Sequence, residues 1–121
     1  IDHMARVRGG DGPGQPAFQL LLRLLKDDRF WVKLCSFDKI SAVPKAHVEG
    51  SLPFMDMVPF AQAVIAAAPD RVLWGSDWPH ATADSPPDTF ALFSAFCAAV
   101  GDEKSLDRIL VDNPNELYGF E

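Results

Sequence analysis

Three short segments of the sequence place ionisable side chains where a strand of a sheet is expected to end. The residues are His3 and Arg6 in the first segment, Ser36, Asp38 and Lys39 in the second, and Asp77 in the third. A histidine and a carboxylate that meet can transfer a proton, and neighbouring cationic side chains can orient an anion. If the three strand ends lie on one face, these side chains form a single polar cluster.

Each of these residues, taken singly, also has a purely structural interpretation. One histidine after a strand is more often a hydrogen-bonded structural residue, and one aspartate before Trp-Pro most often belongs to a turn. Lys39 alone is typical of a solvated surface charge. His47 and His80 lie in long predicted loops, where exposure is expected. Only the convergence of several such residues favours a functional site.

The composition excludes several classes of protein. The net charge is −6, which argues against nucleic acid as a partner, because phosphates require a basic surface. Cys35 and Cys97 each lie in an apolar run, which is typical of buried free thiols in a reducing compartment and predicts a cytoplasmic protein. No apolar run reaches the roughly 18–20 residues needed to span a bilayer, so we expect no membrane partner.

The positioning elements alternate between short apolar runs and helical patterns. Phe18, Leu21, Leu22 and Leu25 form one helical face over residues 17–27. The other predicted elements are strands at 30–35 and 71–76, a helix over 57–68 with Asp56 as N-cap, a helical stripe from Phe93 to Val100 that ends at Gly101, a helix over 103–111, a final turn opened by Asn113-Pro114, and the end of an earlier strand ahead of Val7.

This alternation predicts an α/β fold with a parallel sheet. The predicted links from strand to helix, at 7–16, 36–56 and 76–88, are long, whereas the links from helix to strand are short. Long loops at one end of the strands are typical of a (β/α)-barrel, whose sites lie on those loops. An open doubly wound sheet gives the same alternation, so the pattern alone leaves both architectures open.

Four motifs resemble one known family. They are Ile-Asp-His-Met-Ala-Arg at 1–6, Trp-Val-Lys-Leu at 31–34, Leu-Trp-Gly-Ser-Asp-Trp-Pro-His at 73–80, and Val-Asp-Asn-Pro-Asn-Glu-Leu-Tyr-Gly-Phe at 111–120. In this order they resemble the C-terminal part of amidohydrolase-2 proteins, most of all the branch containing 2-pyrone-4,6-dicarboxylate lactonase. The resemblance implies that residues 1–121 are a partial domain with strands six to eight of a (β/α)₈ TIM-like barrel. The N-terminal part of the barrel, with a His-x-His pair, is then expected ahead of Ile1.

The resemblance also implies roles for the residues of the cluster. Asp77 would be the general base toward water, and His3 would be the family histidine after strand six. For a metal it leaves two alternatives: His3 and Asp77 help to hold a divalent ion such as Zn or Mn, or no metal is used, as in the lactonase branch. The residues expected to contact substrate are Arg6, Lys39, Ser36 and His80. Lys39 stands where that branch usually carries an arginine, which weakens a dicarboxylate assignment because the planar fork is lost.

The function implied is hydrolysis of a lactone, or of a related ester or amide bond, in a small anionic substrate. Two alternatives stay open, which are a metal-dependent non-oxidative decarboxylase of aromatic acids and a non-catalytic remnant of the fold. An oligomer is compatible with the sequence. We expect the isolated 121 residues to be inactive, because three strands cannot close a barrel.

Overall fold

The computed structural model describes residues 1–43, 52–81 and 86–120. Its sheet has two parallel strands, β1 (Val32–Leu34) and β2 (Val72–Trp74), in the register Val32 opposite Val72. Apart from Lys33 in the middle of β1, the strand residues are apolar and largely buried, as expected for a parallel sheet that helices cover. The two predicted strands are therefore present, each shorter than its apolar run.

Ile1 extends this sheet on the opposite edge of β1. Its amino group donates to the Trp31 carbonyl at 2.5 Å, and its carbonyl accepts from the Lys33 amide at 3.0 Å. This pair of bonds around residue 32 is the pattern that a residue in a parallel ladder makes. Beyond Ile1 the chain leaves the sheet and forms a tight helical turn, Asp2–Arg6.

The expected strand ahead of Val7 is thus corrected to a single paired residue followed by a turn. His3, Met4 and Ala5 have φ values of 53°, 47° and 56°. These left-handed conformations are incompatible with an extended strand. His3 consequently stands two residues beyond the sheet pairing.

Helices cover the sheet and connect its strands. The α-helices are α1 (Pro16–Leu24), α2 (Phe37–Ile40), α3 (Val58–Ala67), α4 (Thr89–Val100), α5 (Glu103–Asp107) and α6 (Asn113–Tyr118), and shorter 3₁₀ turns span Gly9–Asp11 and Met55–Met57. The helix expected over 103–111 is α5 followed by a π-helical turn, Arg108–Asp112. The other predicted helices are present, with ends displaced by a few residues, as is usual for sequence patterns.

Local residues explain where α4 begins and ends. The carboxylate of Asp88 accepts from the Phe90 amide at 2.9 Å, which satisfies one of the free N–H groups of the first turn. Gly101 follows the last turn with φ 83°, a conformation that glycine adopts without steric cost.

The expected N-cap role of Asp56 is wrong. Asp56 accepts hydrogen bonds from the Ser41 hydroxyl at 2.5 Å and from the Ala42 amide at 2.8 Å. Its carboxylate therefore ties the chain after α2 to the chain before α3. A tertiary partner has taken the place of the local helix cap.

The apolar core lies between the sheet and helices α1, α3 and α4. Phe18 of α1 meets Phe60 of α3 edge to face, with ring centroids 4.8 Å apart, and both are fully buried. Trp74 at the end of β2 packs on Phe93 and Phe96 of α4. These aromatic contacts fix the helices against the strands.

Polar groups secure the end of the sheet at which the strands begin. The Arg71 guanidinium donates through Nη1 to the carbonyls of Leu25, Asp27 and Phe30, at 3.1, 2.7 and 3.3 Å. The buried Asn113 amide donates to the carbonyls of Pro69 and Val72, at 3.0 and 2.7 Å, which places α6 against β2. Buried backbone carbonyls that would lack partners are satisfied in this way.

The two cysteines are free thiols, as predicted; Cys35 is buried as expected, whereas Cys97 is only half-buried. Within residues 1–43, 52–81 and 86–120, no helix combines the length and apolarity that crossing a bilayer requires.

Candidate active site

Three residues with left-handed backbone geometry follow the strands on one edge of the sheet. His3, Ser36 and Asp77 have φ values of 53°, 61° and 61°. For a residue other than glycine this conformation costs roughly 1–2 kcal/mol, so surrounding contacts must hold it. Residues in such conformations cluster at active sites. The three strained positions therefore mark the same edge that the sequence indicated.

Asp77 is the centre of a hydrogen-bonded network. Its Oδ2 accepts from Lys39 Nζ at 2.5 Å and from Ser36 Oγ at 2.9 Å. Ser36 Oγ also lies 2.9 Å from His3 Nδ1, and His3 Nε2 is 3.8 Å from Asp77 Oδ1. The structure thus brings His3, Ser36, Lys39 and Asp77 together in one cluster.

The surroundings of Asp77 favour its ionised form. Burial raises the pKa of the carboxyl group, but hydrogen bonds from Lys39 and Ser36 and the charge of Lys39 lower it more, so the pKa lies below the ordinary 3.8. Asp77 is therefore a carboxylate at neutral pH. Its Oδ1 has no hydrogen bond from the described residues and is free to accept a proton.

Replacing Lys39 with methionine is expected to raise the pKa of Asp77, because it removes both the hydrogen bond and the positive charge on Oδ2. A reaction that needs ionised Asp77 loses rate as pH falls through this pKa, so its acid limb would move to higher pH. The measurement is the pH dependence of kcat/KM, with Lys26→Met, an exposed lysine after α1, as the matched control. An unchanged acid limb in Lys39→Met would contradict the expectation.

Arg6 lies at the rim of the cluster, in an exposed position. With Arg8 and Lys39 it lines a depression of about 360 Å³, to which Asp11 adds one carboxylate. Neither Arg6 nor Arg8 forms an ion pair with another residue in the described part of the chain. This surface has guanidinium groups without an ion pair among the described residues and shares Lys39 with the Asp77 cluster, which suits an anionic ligand.

Gly9, which lines this depression, allows two segments of the backbone to approach closely. A Cβ atom at this position would lie 2.8 Å from the Ile40 carbonyl oxygen and 3.0 Å from Asp56 Oδ2. Both contacts are too short for a side chain, so the close approach of the 3₁₀ turn Gly9–Asp11 to the end of α2 requires glycine.

Two residues that were expected to contact substrate, Ser36 and His80, are buried. Ser36 is 2% exposed, and its hydroxyl is used by His3 and Asp77. The exposure expected for His80 is wrong, since it is 4% exposed and its amide donates to the Asp77 carbonyl at 2.8 Å, which folds the turn inward. Neither ring nitrogen of His80 has a hydrogen bond to the described residues. His47 lies outside the described residues.

Two further residues belong to this region, Cys35, which was not predicted as a site residue, and Asp38, which was named in the expected cluster without a role. Cys35 Sγ lies 3.0 Å from His3 Nδ1, and burial raises the pKa of this thiol, which keeps it neutral. Its position directly before Ser36 was the available signal. Asp38 is 4% exposed, and neither carboxylate oxygen has a hydrogen-bond partner among the described residues. Its position between Ser36 and Lys39, after the second predicted strand, was the signal in the sequence.

The described residues do not by themselves fit a divalent metal. His3 and Asp77 are close enough to share an ion, but no group of three or more histidine, cysteine or carboxylate side chains is arranged as ligands in the described ranges. Zinc enzymes use three protein ligands and a water. Moreover, the Lys39 ammonium already occupies Asp77 Oδ2.

The fold and the cluster define a parallel α/β protein whose polar residues meet after the carboxyl ends of the strands, as in (β/α)-barrel enzymes. The family model described as Amidohydrolase matches residues 1–120. The chain belongs to this family, which confirms the family resemblance and the α/β barrel class expected from the sequence.

Curated relatives and solved structures agree with this family. The chain is 40% identical to 4-sulfomuconolactone hydrolase of Rhizobium radiobacter, over 98% of this chain and 38% of the relative. It is 35% identical to 2-pyrone-4,6-dicarboxylate hydrolase of Comamonas testosteroni, over 98% of this chain and 40% of the relative. A Pseudomonas putida structure, named as a candidate 2-pyrone-4,6-dicarboxylic acid hydrolase, matches with a TM-score of 0.78 at 28% identity, over 100% of this chain and 42% of that chain.

The chain spans about two fifths of the length of these relatives. We use the term complete barrel for these 121 residues joined to the remaining length of a relative, such as the Rhizobium radiobacter protein.

Proposed function

We propose that a complete barrel carrying this chain hydrolyses the lactone ring of a small anionic substrate, with Asp77 as the general base toward water. One observation carries the proposal: Asp77 is held ionised through Oδ2 by Lys39 and Ser36, while Oδ1 has no hydrogen bond from the described residues. The names of the relatives, which are lactone and pyrone hydrolases, support the same reaction class.

The reaction begins when Asp77 Oδ1 takes a proton from water and the water oxygen bonds to the lactone carbonyl carbon. The carbonyl π electrons move to oxygen, which becomes an oxyanion. His3 lies beside Asp77 and, in its imidazolium form, stabilises this charge through Nε2. The ring C–O bond then breaks, the leaving oxygen takes the proton from Asp77, and the product is the ring-opened hydroxy acid.

Substrate binding is assigned to the depression lined by Arg6, Arg8 and Lys39, of which Lys39 also bonds to Asp77. Arg6 is the residue proposed to hold a substrate anion, because its guanidinium has no ion pair among the described residues and can form two parallel hydrogen bonds. Lys39 adds positive charge at the same edge, although its ammonium group is shared with Asp77. Positioning of this kind brings the carbonyl close to the base and so raises the rate.

We also propose that the protein is cytoplasmic. Both cysteines are free thiols in apolar surroundings, and a reducing compartment keeps thiols from forming disulfides.

The test compares the complete barrel with the isolated 121 residues on 4-sulfomuconolactone and 2-pyrone-4,6-dicarboxylate, with the products identified by mass spectrometry. We expect ring opening with addition of one water by the complete barrel. We expect no turnover by the isolated chain, because it lacks the strands that close the pocket. Release of CO₂ would replace the proposal with a decarboxylase, and a folded complete barrel without turnover on any lactone would favour a non-catalytic remnant.

A further inference from the structure

We propose that Ser36 is a positioning residue that fixes the proton of neutral His3 on Nδ1, so that Nε2 is the unprotonated nitrogen facing Asp77. This inference rests on the proposed function for its catalytic meaning, but its structural content stands on three contacts. Ser36 Oγ lies 2.9 Å from both Asp77 Oδ2 and His3 Nδ1, and Cys35 Sγ lies 3.0 Å from the same nitrogen.

The Ser36 hydroxyl has one proton to donate. An ionised carboxylate only accepts hydrogen bonds, so the contact with Asp77 uses the single hydroxyl proton of Ser36. The oxygen of Ser36 can then only accept from His3 Nδ1. An unprotonated Nδ1 would face this oxygen at 2.9 Å as a second acceptor, which is repulsive.

The Cys35 thiol does not determine which nitrogen of His3 carries the proton. If Cys35 donated its proton to an unprotonated Nδ1, the contact between Ser36 Oγ and Nδ1 would again join two acceptors. With the proton on Nδ1, both the sulfur and the hydroxyl oxygen accept from it, and the thiol proton points toward the Lys33 carbonyl, 3.9 Å from Sγ. This assignment leaves no pair of acceptors within hydrogen-bond distance, since the unprotonated Nε2 lies farther away, 3.8 Å from Asp77 Oδ1.

The burial of Ser36 maintains its hydrogen bonds with His3 and Asp77. The residue is 2% exposed, so water does not compete for the hydroxyl, and its left-handed backbone, with φ 61°, aims the side chain between His3 and Asp77. The consequence for the reaction is that Nε2 donates to a substrate carbonyl only when His3 carries a second proton. Ser36 thereby gives the two ring nitrogens of His3 different roles: Nδ1 is a donor within the protein, and Nε2 is the nitrogen that faces Asp77.

The test reads the tautomer directly. Long-range ¹H–¹⁵N spectra of the complete barrel labelled on histidine distinguish a protonated from an unprotonated ring nitrogen, and a His3→Gln variant assigns the His3 signals. At a pH where the ring is neutral we expect His3 to be protonated on Nδ1. In Ser36→Ala, and in Ser36→Gly, which removes the same hydroxyl and relieves the backbone, we expect the Nε2–H form to appear. Cys35→Ala is expected to keep the proton on Nδ1.

The kinetic readout uses the pH profile of kcat/KM for lactone hydrolysis. Ser36→Ala is expected to lower kcat/KM about tenfold or more and to move the acid limb to higher pH, because Asp77 loses a donor. An Nε2–H tautomer in the unchanged protein, an unaltered tautomer in both Ser36 variants, or a tautomer that changes only in Cys35→Ala would overturn the proposal. The spectra require no turnover, so an inactive barrel with the Nδ1–H form would refute the proposed function and leave this assignment intact.

Discussion

Replacing Asp77 with asparagine is expected to lower kcat/KM of the complete barrel for lactone hydrolysis by about 10²–10⁴-fold, the range typical of a lost general base. An amide has nearly the shape of the carboxylate but cannot take a proton from water. The contacts of Oδ2 with Lys39 and Ser36 show that the carboxylate is also a structural acceptor. The measurement is a steady-state assay with each variant, accompanied by thermal unfolding to show that the barrel remains folded.

Asp28→Asn is the matched control for this experiment. Asp28 is exposed and lies in the link before β1, at the end of the sheet away from the cluster. Its replacement makes the same chemical change and the same change in net charge, so it reports any effect of charge alone. A folded Asp77→Asn barrel with more than about a tenth of the original kcat/KM would rule out Asp77 as the general base.

Truncating Phe60 to alanine is expected to cost about 3–5 kcal/mol of the free energy of unfolding, the range for removal of a large buried aromatic side chain. Phe60 is 1% exposed and meets the Phe18 ring at 4.8 Å, so the change removes apolar burial and also leaves a cavity between α1 and α3. Total stabilities of domains are about 5–15 kcal/mol, so the variant is expected to approach the folding threshold. Urea denaturation of the complete barrel measures the difference.

Phe90→Ala removes the same side chain from an exposed position. Phe90 lies in the first turn of α4 and is 74% exposed, so its truncation is expected to change stability by no more than about 0.5 kcal/mol. Equal losses of stability in the two variants would show that burial of Phe60 in the core does not determine the effect.

The helices could be predicted because their buried faces repeat with helical spacing. Phe18, Leu21 and Leu25 recur at intervals of three and four residues, and all three are buried. Gly101 likewise marks the end of α4 because the chain needs a positive φ there. Signals of this kind depend only on nearby residues, so a sequence carries them directly.

The departures from prediction involve partners distant in the chain. Asp56 bonds to Ser41 and Ala42 instead of capping its own helix, which no local pattern indicates. The turn Asp2–Arg6 replaces a strand because contacts beyond the local sequence maintain four consecutive left-handed residues, His3 to Arg6. Local propensity favours neither result.

The candidate site was predictable in its location and less so in its internal contacts. Parallel strands bring their carboxyl ends to one edge, so the meeting of His3 and Asp77 follows from the topology. The burial of Ser36 and His80 does not, because it depends on how the loops after the strands fold back. The contact between Cys35 and His3 is a further consequence of this folding.

The Arg71 guanidinium bonds to three carbonyls at the end of the sheet where the strands begin, whereas His3, Ser36 and Asp77 lie at the other end. The residues that stabilise the sheet and the residues of the candidate site therefore lie at opposite ends of the strands. Substitutions in the loops that follow the strands, which would alter the substrate that the proposed site accepts, leave the hydrogen bonds of Arg71 intact. A protein organised in this way can acquire new substrate preferences through substitutions in these loops, because the contacts that support the sheet need not change.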